Sequence, residues 1–224
     1  DLPKRDRILA QIAEAERRRD EAMRQRDTLR GDQAIHAAEM QHLLDKLTIV
    51  ERDKLKRLNE LEAAQASPPQ NIDTWPVVRD LSGAPPYSAL RVDALRDALD
   101  NQNEKLQGMT ARWQSLEVEK VDLSRSRQRQ AELARLAGDR LARATSSAEQ
   151  QKARNEKDLA VLQQQVADSE LVAVSLAQEA LKLHMAAQRR LIADFERIVE
   201  HVLPKQRMTE ADVEQVRARA KIGA

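Results

Sequence analysis

Two stretches of this chain contain no proline, Lys4 to Ser67 and Tyr87 to Leu203. Five of the seven prolines, one of the two tryptophans and the only tyrosine fall between them, in Ser67–Tyr87. Proline removes a backbone donor and fixes φ, so it is kept out of helix interiors. The proline-free stretches are rich in Arg, Glu, Gln, Ala and Leu, which favour helix. The pattern predicts an all-α protein: two long coiled-coil segments interrupted by one irregular segment. Only 2% of the residues are aromatic, so the core must be built from Leu, Ala, Val, Ile and Met. Such a core is thin, of the kind found between two to four packed helices.

Residues 1–66 read as a first coiled-coil helix. Its seam runs through Ile8, Ile12, Ala15, Ala22, Leu29, His36, Met40, Leu43, Leu47, Val50, Leu58 and Leu61. These alternating three- and four-residue steps are those of a coiled-coil face. Read as one helix to Ala66, the segment would measure about 95 Å. Arg19, Arg26, Gln33 and Lys54 occupy seam positions that should be apolar.

Residues 67–87 read as a Pro-rich tip loop without helix, with an extended piece at Thr74–Val78. Residues 88–203 read as a long second helix capped by Ser88. Its seam holds Val92, Leu95, Leu99, Gln102, Leu106, Met109, Trp113 and Leu116, then Lys120 and Leu123, and resumes at Leu133, Ala137 and Leu141. A break is possible at 145–150, where Ser146 and Glu149 fit a capping box. No Gly or Pro marks a turn there, so a continuous or kinked helix is the first expectation. Residues 204–224 read as a short C-terminal helix and tail, capped by Thr209 and Asp212. The resulting fold is a long antiparallel coiled-coil hairpin. Its alternative is a three-helix antiparallel bundle with a turn near Thr145–Gln150.

From Leu159 onward the helix is apolar on more than one face, which requires cover on more than one side. A two-helix hairpin does not supply it. Leu171, Val174, Leu181, Met185 and Phe195 are therefore expected at an oligomer interface, with a second copy or a larger protein as cover.

Trp75, Val77, Val78 and Tyr87 are the candidate partner-binding residues. Aromatic groups in a rigid loop suit a binding hot spot. The competing reading folds Trp75 and Tyr87 back as a cap over the helix ends.

Chemistry-bearing constellations are sparse. Glu39 and His42 form one Glu-x-x-His step, the unit used in di-iron helical bundles. A second such unit is missing, so no metal or other cofactor is expected. The chain has no cysteine, which excludes thiolate catalysis and disulfides. No glycine-rich phosphate loop or nucleophile elbow is present. The chain is not expected to be an enzyme.

Lys plus Arg number 38 and Asp plus Glu 37, a net charge of +1. Nucleic-acid binding draws on a basic excess, so that partner is not expected. The clusters Arg17–Arg19 and Arg125, Arg127 and Arg129 fan around their helices and are offset by nearby acids. No uncharged apolar run of about 18 residues exists, so no segment is expected to span a membrane; without a one-sided basic surface, direct membrane contact is not expected either.

The expected function is a non-enzymatic scaffold or spacer that mediates protein–protein assembly. The alternative is a helical arm of a bacterial envelope, secretion or chromosome-associated machine, and a weaker one is a nucleic-acid or membrane surface binder. Asp1 stands where Met would begin a chain, so the sequence reads as a processed form or a piece of something longer. The compartment, cytoplasm or bacterial periplasm, stays open.

Overall fold

The computed structural model describes residues 2–223. It is all-α apart from one two-residue bridge. The elements are α1 (Arg5–Thr28), α2 (Asp32–Ala66), a 3-10 turn (Ile72–Thr74), α3 (Pro76–Arg79), β1 (Tyr87–Ser88), α4 (Ala89–Arg143), α5 (Ser147–Val202), a 3-10 turn (Leu203–Lys205), β2 (Gln206–Arg207) and α6 (Glu210–Ile222). The chain forms two compact units. One comprises Asp1–Ala66 with Trp113–Ala180, the other Ser67–Arg112 with Leu181–Ala224.

The first unit holds two antiparallel hairpins. The reading of 1–66 as one helix is corrected here: the helix breaks at Leu29–Gly31 and reverses. Leu29 N–H closes on Gln25 O at 3.0 Å. Gly31 then takes φ +63°, a left-handed conformation that costs other residues about 1–2 kcal/mol. Its carbonyl accepts from Ala34 and Ile35 and starts α2. The returning helix pairs Glu62 with Arg5 and Glu16 with Arg52, and Asp45 lies 3.8 Å from Arg19.

The second reversal falls at Ala144–Ser146, where the continuous-helix expectation fails and Ser146 caps α5, with Glu149 reaching back to Thr145 rather than to Ser146 itself. Glu149 N–H donates to Ser146 Oγ at 3.2 Å, and Thr145 N–H donates to Glu149 Oε2 at 3.3 Å. The turn expected for the three-helix alternative is thus present, but α1 adds a fourth pass. Arg140–Glu156 (2.9 Å) and Arg127–Asp168 join α4 to α5 in antiparallel register. Contacts from α2 to α5 rise together in sequence, His36 to Asp158 and Lys46 to Glu170. These two helices are therefore parallel, and both reversals lie at the same end of this unit.

The core of this unit has two apolar layers and one polar layer. Ala15, Ala22, Leu44, Leu47, Leu162 and Val166 form the first apolar layer. Ile8, Leu58, Leu61, Leu176 and Ala180 form the second. Between them in sequence, on all three helices, lie Gln11, Glu51, Lys54 and Ser169. Glu51 and Lys54 are 2.6 Å apart, each side chain only 3% exposed. Ser169 Oγ donates to Glu51, and Lys54 Nζ donates to Gln11 Oε1 at 3.0 Å. This explains a lysine at a seam position.

The second unit is built on the Pro-rich segment. Its loop reading is corrected too, because Ile72–Thr74 and Pro76–Arg79 are wound rather than extended. Asn71 Oδ1 accepts from Asp73 N–H at 3.0 Å, and Pro76 occupies the first helical position, where no donor is needed. The core gathers Ile72, Leu81, Tyr87, Val92, Leu95, Leu191, Phe195 and Val202. Gln188 Nε2 donates to the backbone oxygen and Oε1 of Gln102 at 2.9 and 3.0 Å, a buried pair that joins the α4 and α5 segments of this unit.

The C-terminal cap expected at Thr209 and Asp212 is present. Thr209 N–H donates to Asp212 at 3.0 Å, and Asp212 N–H donates to Thr209 Oγ1 at 3.2 Å. Asp212 is buried and also accepts from Ser88 Oγ at 2.6 Å. Beside this contact, β1 and β2 pair in parallel, Tyr87 with Gln206 and Ser88 with Arg207.

Candidate docking groove

The first unit carries a wide concavity. It is an open groove of about 860 Å³ between α2, α4 and α5. Three helices supply its wall: Ile35, Glu39 and His42 from α2, Gln130 and Leu133 from α4, and Leu159 from α5. It exists because α4 does not follow the seam expected at Leu133. Leu133 is 47% exposed and Ala137 is buried, while Ala134 is half-buried. Ala137 is the buried residue of this stretch, and Leu133 lines the groove. On α2, Ile35 is 60% exposed although the helix buries Ala37 and Leu44.

The groove is apolar in its walls and polar at its rim. Arg140 closes on Glu156 at 2.9 Å between α4 and α5. His42 and Glu39 are both exposed on α2. Among the described residues no three His, Cys, Asp or Glu side chains are placed to hold a metal. Opposed apolar walls from separate helices suit burial of another apolar side-chain row more than bond-making chemistry.

The partner-binding residues expected from the sequence lie elsewhere. Trp75, Val77 and Val78 are half-buried against the core of the second unit, and Tyr87 is 8% exposed within it. The Trp75 ring meets Phe195 edge-on, centroids 5.1 Å apart at 83°. These residues form the cap, not an exposed recognition tip. A thin aliphatic core leaves a ring-sized space at the helix ends, and the only phenylalanine of the chain faces it.

The residues expected at an oligomer interface are packed to different degrees within the two units. Val174, Met185 and Phe195 are buried and Leu171 and Leu181 half-buried. In the first unit α5 is covered by α1 and α2 on one side and by α4 on another. Extra apolar faces were legible in the sequence; in the first unit the chain's own first hairpin covers them, and in the second Phe195 lies in a core with Ile72 and Tyr87.

Of the groove residues, Leu133, Leu43, Glu39 and His42 were read from the sequence in other roles, and Ile35 escaped it. Ile35 lies off the α2 seam, beside His36, and nothing in the periodicity marks it as a surface. The basic clusters are paired locally: Arg17 with Glu14 at 2.8 Å, and Arg125 with Asp122 at 3.8 Å. The Arg17 guanidinium holds the Glu14 carboxyl below its ordinary range through their hydrogen bond. No helix among the described residues is long and apolar enough to cross a membrane. Compared with protein-family models, with curated proteins and with solved structures, the chain finds no match.

Proposed function

We propose that this protein is a non-enzymatic helical scaffold that receives an amphipathic helix of a protein partner in the α2–α4–α5 groove. The observation that carries this reading is the pairing of a large groove with apolar side chains held open to solvent. Ile35 at 60% and Leu133 at 47% exposure stand on opposite walls of a space of about 860 Å³. A helix that presents apolar residues at three- and four-residue steps fits such walls. The polar rim of Glu39, His42 and Gln130 offers hydrogen bonds that set its orientation.

The test is selection of amphipathic helical peptides from a displayed library against the full chain. Winning peptides should bind the wild-type protein and lose at least tenfold in affinity for Ile35→Glu and Ala38→Glu, two exposed positions of α2. Unchanged circular dichroism of both variants keeps the comparison clean. Peptides that bind wild type and both variants equally, or no selectable binder, would overturn the groove reading.

A further inference from the structure

We propose that the turn end of the first unit works as a clamp: the α1–α2 and α4–α5 tips part as two intact hairpins about the layer of Leu44, Leu47, Leu162 and Val166. Apolar burial holds helices together roughly in proportion to its area, and here it is unevenly spread. On the far side of that layer the core holds Ile8, Leu58, Leu61 and Leu176. Toward the turns, in residues 23–43 and 130–161, the buried residues are four alanines, Ala37, Ala137, Ala153 and Ala160. An alanine buries one methyl group where a leucine buries a branched side chain, so the tips lack the anchors of the far half. Regions with few buried apolar contacts open at a lower free energy than the rest of a fold.

Polar groups and packing point the same way. His36 Nδ1, Gln41 Oε1 and Gln130 Oε1 are buried in the tips without a hydrogen-bond partner in the protein. Parting the tips lets solvent reach them and relieves that cost. Concavities of about 860, 290 and 310 Å³ indent this end, so part of the dispersion attraction of a close-packed interior is missing there. Each hairpin keeps its own ties, Arg140–Glu156 at 2.9 Å in one and the Leu29–Gly31 turn in the other. Between the hairpins run Arg18–Gln165 at 3.0 Å, beside Val166, and His36–Asp158 at 4.0 Å. The groove crosses this seam, because Ile35 and Ala38 stand on one hairpin and Leu133 and Leu159 on the other. The clamp therefore sets the width of the groove. It is a property of the chain alone, so it and the groove reading fail separately.

The chain has no cysteine, so introduced ones report unambiguously. Ala37, Ala160 and Ala180 start from 5%, 4% and 6% exposure. In native buffer, Ala37→Cys and Ala160→Cys should react with a thiol reagent at least about tenfold faster than Ala180→Cys in the far layer, because only the tips must part to expose them. Spin labels on Asp32→Cys with Lys157→Cys, exposed positions on the two tips, should give a broader distance distribution than labels on Asn59→Cys with Glu179→Cys, exposed positions of the far half. The circular dichroism of the labelled chains should match wild type, because the hairpins stay wound. Tip thiols that react no faster than the Ala180→Cys thiol, or two distance distributions of equal width, would overturn the proposal.

Discussion

Replacing Lys54 by alanine should be among the most damaging single changes in the first unit. The Lys54 ammonium lies 2.6 Å from the Glu51 carboxylate, and both side chains are 3% exposed. Without the lysine, Glu51 keeps only the Ser169 hydroxyl as a partner. A buried carboxylate stripped of its counter-charge typically costs about 3–5 kcal/mol. For a body of this size each kcal/mol lowers the melting temperature by about 4 °C, so the expected drop is about 12–20 °C. Replacing the whole cluster tells a different story. Glu51→Leu with Lys54→Met and Ser169→Ala removes both charges and the stranded hydroxyl together. That variant should lie between neutral and about 4 kcal/mol more stable, because both ions are no longer desolvated. Trp113 belongs to the first unit and Trp75 to the second. Urea melts followed by fluorescence in a Trp75→Phe background therefore report the right unit. A loss below about 1 kcal/mol for Lys54→Ala would place the pair among solvent-screened surface bridges and refute the reasoning.

Two further outcomes follow from the second unit. Trp75→Ala removes the edge-on partner of Phe195 and should cost about 3 kcal/mol; in a Trp113→Phe background, Trp75 emission should be blue-shifted and protected from quencher, and solvent-like emission would contradict the packing. The Ser88 hydroxyl, then the Thr209 groups, hold the Asp212 carboxyl below the ordinary aspartate value of 3.8. Its contribution to stability is therefore complete above that value and is lost as pH falls through the depressed folded one. A carboxyl resonance of Asp212 that titrates with a midpoint at or above 3.8 would exclude this anchor.

The helix caps were the most legible part of the fold. Ser88, Ser146 with Glu149, and Thr209 with Asp212 all sit at helix starts in the structure, because a capping hydrogen bond is local and depends on few residues. The seam of α4 was legible where its residues are large, at Val92, Leu95 and Leu116. It failed at Leu133, which is 47% exposed while Ala137, one turn on, is buried. The reversal at Leu29–Gly31 was hidden by arithmetic. Ala22, Leu29 and His36 stay seven residues apart across the turn, so the heptad count runs on while the chain folds back. Gly31 was the one local signal. The groove was not legible, because the exposure of Ile35 depends on where α4 and α5 lie, and their wall residues stand 95 or more positions away in sequence.

Both reversals at one end of the first unit, with the polar cluster of Gln11, Glu51, Lys54 and Ser169 inside it, also govern how this unit could change length during evolution. Seven residues inserted into one helix would add about 10 Å to that helix alone. Its far half would then slide past three unaltered neighbours, and a carboxylate or an ammonium would face an aliphatic layer. Compensating insertions in α1, α2, α4 and α5 would be needed together. Insertions at the two exposed reversals escape that constraint. Viable length variants should therefore differ at Leu29–Gly31 or Ala144–Ser146, and sequencing the survivors of a random-insertion library selected for folding would show whether they do.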